Sequence, residues 1–289
     1  MDNTGGTTPP PPPPPPPGEG GGFGAAGPGA FGPKGVGDIL SSAFDLYGKN
    51  AAQLLKLVAI VAIPLTLISA LLAELGDDPG DVTIDQVTGD VSVGGRGFFA
   101  AMLIFAATAL VSYVIQQLLT GALTRATAGS LVGRPVDVTA SYRYAFSRLG
   151  GLIILSILYG LIVAVGFILL IVPGIILGVF LSVAVPAFMI ERRTATDSLS
   201  RSWNLVSGSW WHAFGTIVVA AILAGIVSGI LTAIGGDSFF GYWVMSAIAT
   251  IITAPFVALV GVLLYVDLRA RREGLDATTL GRELDAATA

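Results

Sequence analysis

Apolar residues run along this chain in long blocks separated by short polar connections. Six blocks stand out, approximately Ala51–Ala73, Phe98–Leu119, Leu152–Val172, Ile175–Ile190, Ala213–Ile234 and Tyr242–Val266. Five hold 21 to 25 residues, enough to cross ~30 Å of hydrocarbon at ~1.5 Å per residue with some tilt. The fourth holds 16 and needs borrowed length or local thinning of the bilayer. Proline and glycine at Val172-Pro173-Gly174 predict a sharp reversal there, so the third and fourth blocks read as a hairpin rather than one long helix.

Before each odd-numbered block lies a segment of mixed polarity with helical spacing. In Gly37–Gly48, the residues Ile39, Leu40, Ala43, Phe44 and Tyr47 share one face; in Thr194–Trp210, Leu199, Trp203, Val206 and Trp210 do the same. Sliding one segment onto the other pairs Asp38 with Asp197, Leu40 with Leu199, Ser41 with Ser200 and Phe44 with Trp203. A looser third copy spans Thr139–Gly150. Asp38 and Asp197 fall where they cap a helix or sit in its first turn, favoured there by the dipole. The pattern predicts three interfacial helices, each feeding a transmembrane hairpin.

Charge gives the orientation. If the chain starts inside and crosses six times, fourteen of the fifteen Lys and Arg residues lie on the cytoplasmic side, and only Arg96 lies outside. Arg125–Arg148 and Arg192–Arg201 both belong inside, which requires an even number of crossings between them and independently favours the hairpin. The first outer loop, Glu74 to Gly97, carries six acids without an EF-hand spacing, and its Val82-Thr83-Ile84 and Val91-Ser92-Val93 segments suit a short β-hairpin. Residues 1–35 hold nine consecutive prolines followed by Gly-rich sequence. They predict a disordered cytoplasmic tail, with a PPII ligand for an aromatic-lined groove as the alternative. Residues 36–275 form the six-span domain, and 276–289 a short cytoplasmic C-terminal tail.

Composition agrees and narrows the chemistry. The 289 residues are 53% hydrophobic and only 12% charged, about half the charge a soluble domain carries. Twelve arginines against three lysines fit a GC-rich bacterial genome, and no basic stretch leads an N-terminal apolar run as a signal peptide would. The expected location is the plasma membrane, multi-pass, with both termini cytoplasmic. With no cysteine and a single histidine, His212, thiolate chemistry and multi-imidazole metal sites are excluded, and no cofactor is expected. No HExxH, GxSxG or Walker loop occurs, and the basic residues form no continuous patch for nucleic acid.

The middles of the six blocks carry no ionisable group, which counts against an ion-coupled transporter of familiar design. Ser112, Tyr113, Gln116 and Gln117 make the most polar intramembrane patch, read as interhelical hydrogen bonding or the lining of a cavity. Gly174/Gly178 and Gly225/Gly229 are small-xxx-small pairs that allow close helix packing or oligomerisation.

Four motifs carry a family resemblance: the opening Gly37-Asp38-Ile-Leu-Ser-Ser-Ala-Phe-Asp-Leu-Tyr, then Pro186-Ala-Phe-Met-Ile-Glu191, Asp197-Ser-Leu-Ser-Arg-Ser-Trp203-Asn-Leu-Val206, and the closing Leu264-Tyr-Val-Asp-Leu-Arg269-Ala-Arg-Arg-Glu-Gly-Leu275. Over about Gly35 to Asp276 the chain resembles the membrane domain attached to some glycerophosphoryl diester phosphodiesterases and more often standing alone in bacterial membrane proteins. The resemblance implies the membrane module alone. Hydrolysis in those enzymes belongs to a separate soluble barrel with metal-binding carboxylates and catalytic histidines, for which this chain has no room.

The sequence thus predicts an all-α integral membrane protein of six transmembrane helices in three hairpins, each preceded by a cytoplasmic amphipathic interfacial helix. Its expected role is a non-enzymatic module or scaffold meeting anionic lipid or a protein partner. The candidate surface is Asp38, Phe44, Glu191, Arg192, Arg193, Asp197, Trp203, Asp267, Arg269, Arg271 and Arg272. The alternative is a transporter or channel for a small or amphiphilic substrate, moving on the proline-bearing spans with Pro64, Pro186 and Pro255.

Overall fold

A computed structural model describes residues 31–76, 82–84, 91–93, 95–236 and 239–286. The proline run and most of the expected first outer loop, with Asp77, Asp78, Asp81, Asp85 and Asp90, lie outside the described residues. The described chain is helical: α1 (Val36–Gly76), α2 (Gly95–Leu131), α3 (Val138–Ser147), α4 (Leu149–Leu169), α5 (Ile171–Phe180), α6 (Ala184–Ile190), α7 (Ala195–Val206), α8 (Trp210–Ile234), α9 (Phe239–Glu273) and α10 (Ala277–Ala286). Two three-residue extended segments, Val82–Ile84 and Val91–Val93, pair antiparallel with Val82 opposite Val93.

Among the described residues six helical stretches are long and apolar enough to cross a membrane: Val36–Pro64, Ala106–Leu131, Leu149–Leu169, Ile171–Ile190, Trp210–Ile234 and Phe240–Glu273. The fourth is longer than its apolar block suggested because the chain reverses at Leu170, which is extended (φ −167°, ψ 157°), and not at Pro173. Pro173 instead lies in the first turn of α5, where its missing N–H costs no helical hydrogen bond. Gly174 serves the packing of the returning helix. A Cβ on Gly166 would come within 2.8 Å of the Gly174 Cα, and one on Gly174 would strike the Phe167 ring at 2.6 Å.

The segment expected as a first interfacial helix is not separate. α1 runs unbroken for 41 residues through Gly48, the weakest helix former at the expected junction, and Asn50 donates its side chain to Leu46 O without interrupting the ladder. α3 and α7 do stand alone, each with a side-chain cap: Asp137 accepts from Ala140 N, and Thr194 accepts from Asp197 N. Asp38 lies in the first turn of α1 and accepts from Gly35 N, the return half of a capping box.

α8 packs along α9, α4 along α5, and α1 against both α2 and α9. The densest core lies toward one end, where every residue of α9 from Leu259 to Ala270 except Gly261 is buried. Leu54, Leu57 and Val58 of α1, Leu119 and Leu123 of α2, and Leu205 and Val206 of α7 join that core. Both ends of the described residues contribute to it. Phe31 and Lys34 are buried, and the segment expected as a short C-terminal tail forms α10, with Leu280 and Leu284 inside.

Candidate functional site

The same end holds the charged side chains. α6 delivers Glu191 from its C-terminus, α7 carries Arg201, and α9 presents Tyr265, Arg269 and Glu273 one turn apart on a single face. The Glu191 side chain is only 7% exposed. It accepts from Tyr265 Oη at 2.7 Å, from Arg201 Nε at 2.9 Å and from Arg193 Nε. Arg201 also reaches Glu273 through Nη2 at 2.7 Å. Arg269 donates to Tyr265 Oη at 3.0 Å and grips Glu283 of α10 with both terminal nitrogens, at 2.8 and 2.9 Å. Tyr265, fully buried, therefore donates to a carboxylate and accepts from a guanidinium.

Electrostatics follow from this arrangement. Burial by itself would raise the Glu191 carboxyl, but the hydrogen bonds from Tyr265, Arg201 and Arg193 and the nearby Arg269 charge hold it below the usual carboxylate range. Burial opposes the charge on Arg201, yet its bonds to Glu273 and Glu191 outweigh that and hold the proton more firmly than in a free guanidinium. A groove of about 510 Å³ opens beside this network, with four arginines and three glutamates in its wall.

A second cluster ties the N-terminal segment to α9. Asp267 accepts from Lys34 N at 2.6 Å and from Arg271 Nε at 2.7 Å, and its Oδ2 lies 3.0 Å from His212 Nε2. A carboxylate only accepts, so the pairing puts a proton on Nε2. Arg271 also donates to Lys34 O.

Of the sequence-nominated surface, Glu191, Arg193 and Arg269 come together in the first cluster, and Asp267 and Arg271 in the second. Asp267 and Arg269 are buried and engaged internally, so they form part of the framework rather than an open face. Asp38 and Asp197 stay at their helix starts. Phe44 leans on the Phe256 ring at 4.8 Å, and Trp203 stacks on Phe180 at 4.1 Å. Arg192 has a left-handed backbone (φ 56°) and donates to Ala286 O, while Arg272 is exposed. In the polar patch, Tyr113 shares a 2.7 Å hydrogen bond with Ser156 of α4, while Ser112 and Gln117 are half-buried and Gln116 is exposed. Gly174 and Gly178 face α4 residues of the same chain, whereas Gly225 and Gly229 meet nothing within 4 Å.

Sequence reasoning missed Tyr265, Arg201, Glu273, Glu283, His212 and Lys34 as members of these clusters. The spacing of Tyr265, Arg269 and Glu273 at i, i+4 and i+8 was a readable signal; the others depend on how the chain folds back.

Among the described residues no group of three or more His, Asp or Glu is arranged to hold a metal ion. No protein-family model, no curated protein and no solved structure matches this chain.

Proposed function

We propose that this is a multi-pass membrane module of the plasma membrane, without a catalytic site of its own, whose cytoplasmic end engages anionic phospholipid. Its six spans form three hairpins with both termini inside, and the membrane-domain family named above is the kinship its motifs support. One observation carries the reading: Arg148, from the connection before the third span, donates at 2.8 Å to the carbonyl of Arg193, from the connection after the fourth. The two arginine-bearing connections thus meet at one end of the bundle, as the positive-inside rule requires of an even number of crossings.

Pairing at that end favours a structural and binding role over turnover. Glu191, Glu273 and Glu283 are each held by arginine, and the single histidine rests on Asp267. Arginine at headgroup depth gains roughly 1 kcal/mol per charge from an anionic leaflet. The competing transporter reading draws on the Gln116–Gln117 region, where the Tyr113–Ser156 bond spends polar groups on joining α2 to α4.

The test is lipid retention. Extracted in mild detergent from membranes of mixed composition, the full chain should keep anionic phospholipid enriched over zwitterionic phospholipid relative to the parent membrane. Bound lipid that simply mirrors the membrane's composition would sink the reading.

A further inference from the structure

Beside the Glu191 network lies a second cavity of about 490 Å³, between the start of α4, the end of α6 and the first turn of α7. The two cavities share Arg192 and Arg193, but their charge balance differs. In the first, four arginines face three glutamates. In the second, Arg148, Arg192 and Arg193 line the wall with no carboxylate among the lining residues. We propose that this second cavity is a phosphate site, taking the headgroup of an anionic phospholipid whose glycerol and upper chain lie against Ile154. The proposal rests on the membrane reading above and assigns the anion to one place.

Arg148 is already set for the task. Its Nη2 donates to Phe188 O at 3.2 Å and to Arg193 O at 2.8 Å, and its guanidinium lies 4.3 Å from the centre of the Phe188 ring. The backbone carbonyls and the ring fix the plane of the fork, which removes the rotamer freedom that a long side chain ordinarily loses on binding. Its Nε is buried with no hydrogen-bond partner. Nε is too enclosed to be reached from the cavity, but among the described residues no carboxylate pairs with Arg148, and a phosphate in the cavity supplies that counter-charge in the fork geometry arginine matches best.

The surroundings point the same way. Arg193 gives Nε to Glu191 and Arg192 gives Nη1 to Ala286 O, so each guanidinium is anchored from the far side with other N–H groups remaining. Arg192 adopts φ 56°, a left-handed conformation that a side-chain-bearing residue rarely takes, at the position both cavities share. Thr194, Ala195 and Thr196 bring the first turn of α7 into the wall, adding backbone dipole of the same sign. Asp197, also in that turn, is hydrogen-bonded to Thr194 and is not among the lining residues.

Depth and shape select a lipid over a free anion. Arg148 immediately precedes the span Leu149–Leu169, and Arg192 and Arg193 closely follow the span Ile171–Ile190. The charged rim therefore sits where two spans leave the hydrocarbon. Ile154, more than a turn further along α4, is 56% exposed on the apolar side of the same cavity. Gly151 makes the wall flat: a Cβ there would strike Phe188 at 2.5 Å, so the ring lies directly on the helix backbone.

The test uses the full chain in phosphatidylcholine nanodiscs doped with phosphatidylglycerol, with protein-bound lipid counted after detergent extraction. Wild type is compared with Arg148→Gln/Arg193→Gln, with Thr196→Glu, and with Arg143→Gln, an exposed arginine outside the cavity. The double variant should retain about tenfold less phosphatidylglycerol, the scale of one or two lost charge-assisted bonds. Thr196→Glu places a carboxylate at the rim through an exposed helix-start position, touches none of the Arg148 contacts, and should lower retention severalfold with thermal unfolding unchanged. Arg143→Gln should stay within about twofold of wild type. Wild-type retention by both the double variant and Thr196→Glu overturns the assignment. Equal loss in Arg143→Gln overturns it in favour of diffuse attraction. Displacement of the lipid by millimolar inorganic phosphate, with phosphate binding equally well in the absence of lipid, makes a free anion the occupant and overturns the lipid assignment. If wild type itself shows no preference for phosphatidylglycerol, the broader function falls instead, a result distinct from a preference that ignores these three positions.

Discussion

At one end of the bundle Glu191, Arg201 and Arg269 are largely buried, and each is met by a group of opposite charge, with Tyr265 bridging Glu191 and Arg269. Around Leu170, at the far end of α4, apolar side chains are exposed instead: Ile168 is 83% exposed, and Leu169 through Val172 are all near two-thirds. The first end is assembled as a water-soluble core would be, with capped helices and satisfied ion pairs. The second would expose in water a contiguous apolar surface that folded monomers avoid, and it is comfortable only in hydrocarbon. The specificity of the fold therefore resides mainly at the charged end. In lipid, one apolar face is as good as another, so helix order there depends on close approach at glycine; at the polar end, unpaired charge makes every alternative arrangement costly.

The largest expected effect comes from breaking the charged end. Glu191→Leu leaves Arg193, Arg201, Arg269 and the Tyr265 hydroxyl without their common acceptor in a buried site, and stability should fall by about 3–5 kcal/mol in detergent unfolding. A loss below about 1 kcal/mol would mean that the charges do not hold this end together. The pH dependence has a definite sign. The Glu191 carboxyl is depressed in the fold, so its contribution is complete above its ordinary value of 4.5 and drains away as pH falls through the lower folded value. Wild type should lose stability on acidification in that window, and Glu191→Leu should lack this component of the acid response.

The two ends also differ in how much of them could be read from sequence. Six apolar stretches were legible because hydrocarbon thickness sets their length, a local property of composition. Their boundaries were less so. The periodicity of Ile39, Leu40 and Ala43 marks a buried face but contains nothing that separates an interfacial helix from the span after it, and α1 runs through both. Pro173 signalled a reversal near the right place, yet proline is equally at home in a first helical turn, and the chain turned at Leu170 instead. Of the charged end, Glu191, Arg193, Arg269 and Asp267 were nominated from their position among basic connections. Their partners Glu283 and Lys34 were not, because both contacts depend on how separate segments fold back onto α9. The Lys34 N–Asp267 bond spans 233 positions, and no local spacing encodes it.

At the apolar end the corresponding test is steric. Gly166→Ala drives a methyl to within 2.8 Å of the Gly174 backbone, which cannot move aside as a flexible side chain would, and should cost about 1–3 kcal/mol. Gly225→Ala on α8, where nothing lies within 4 Å, should be neutral or stabilising by up to about 1 kcal/mol through helix propensity. Unfolding midpoints of the two variants, measured in the same detergent, give the comparison directly. Equal effects would show that close approach of α4 and α5 does not organise that end.

The smallest expected effect sharpens the boundary between the two regimes. Asp45 and Lys49 form a 2.6 Å pair one turn apart on α1, with both side chains more than half exposed. Such a pair in an aqueous setting contributes about 0.3–0.5 kcal/mol and is screened by salt, so Lys49→Ala should barely move the unfolding midpoint, and high ionic strength should erase even that. The same salt should leave the Glu191 effect intact, because those charges are shielded from solvent rather than by it. The pair lies inside the helical stretch Val36–Pro64, which could cross a membrane, but before Ala51, where the first apolar block begins. A salt-insensitive loss above about 1.5 kcal/mol would place Asp45 and Lys49 in a low-dielectric setting and move the inner boundary of the first span about two turns toward Val36. A small, salt-sensitive loss keeps that boundary near Ala51, leaving the first four turns of α1 on the side of the charges.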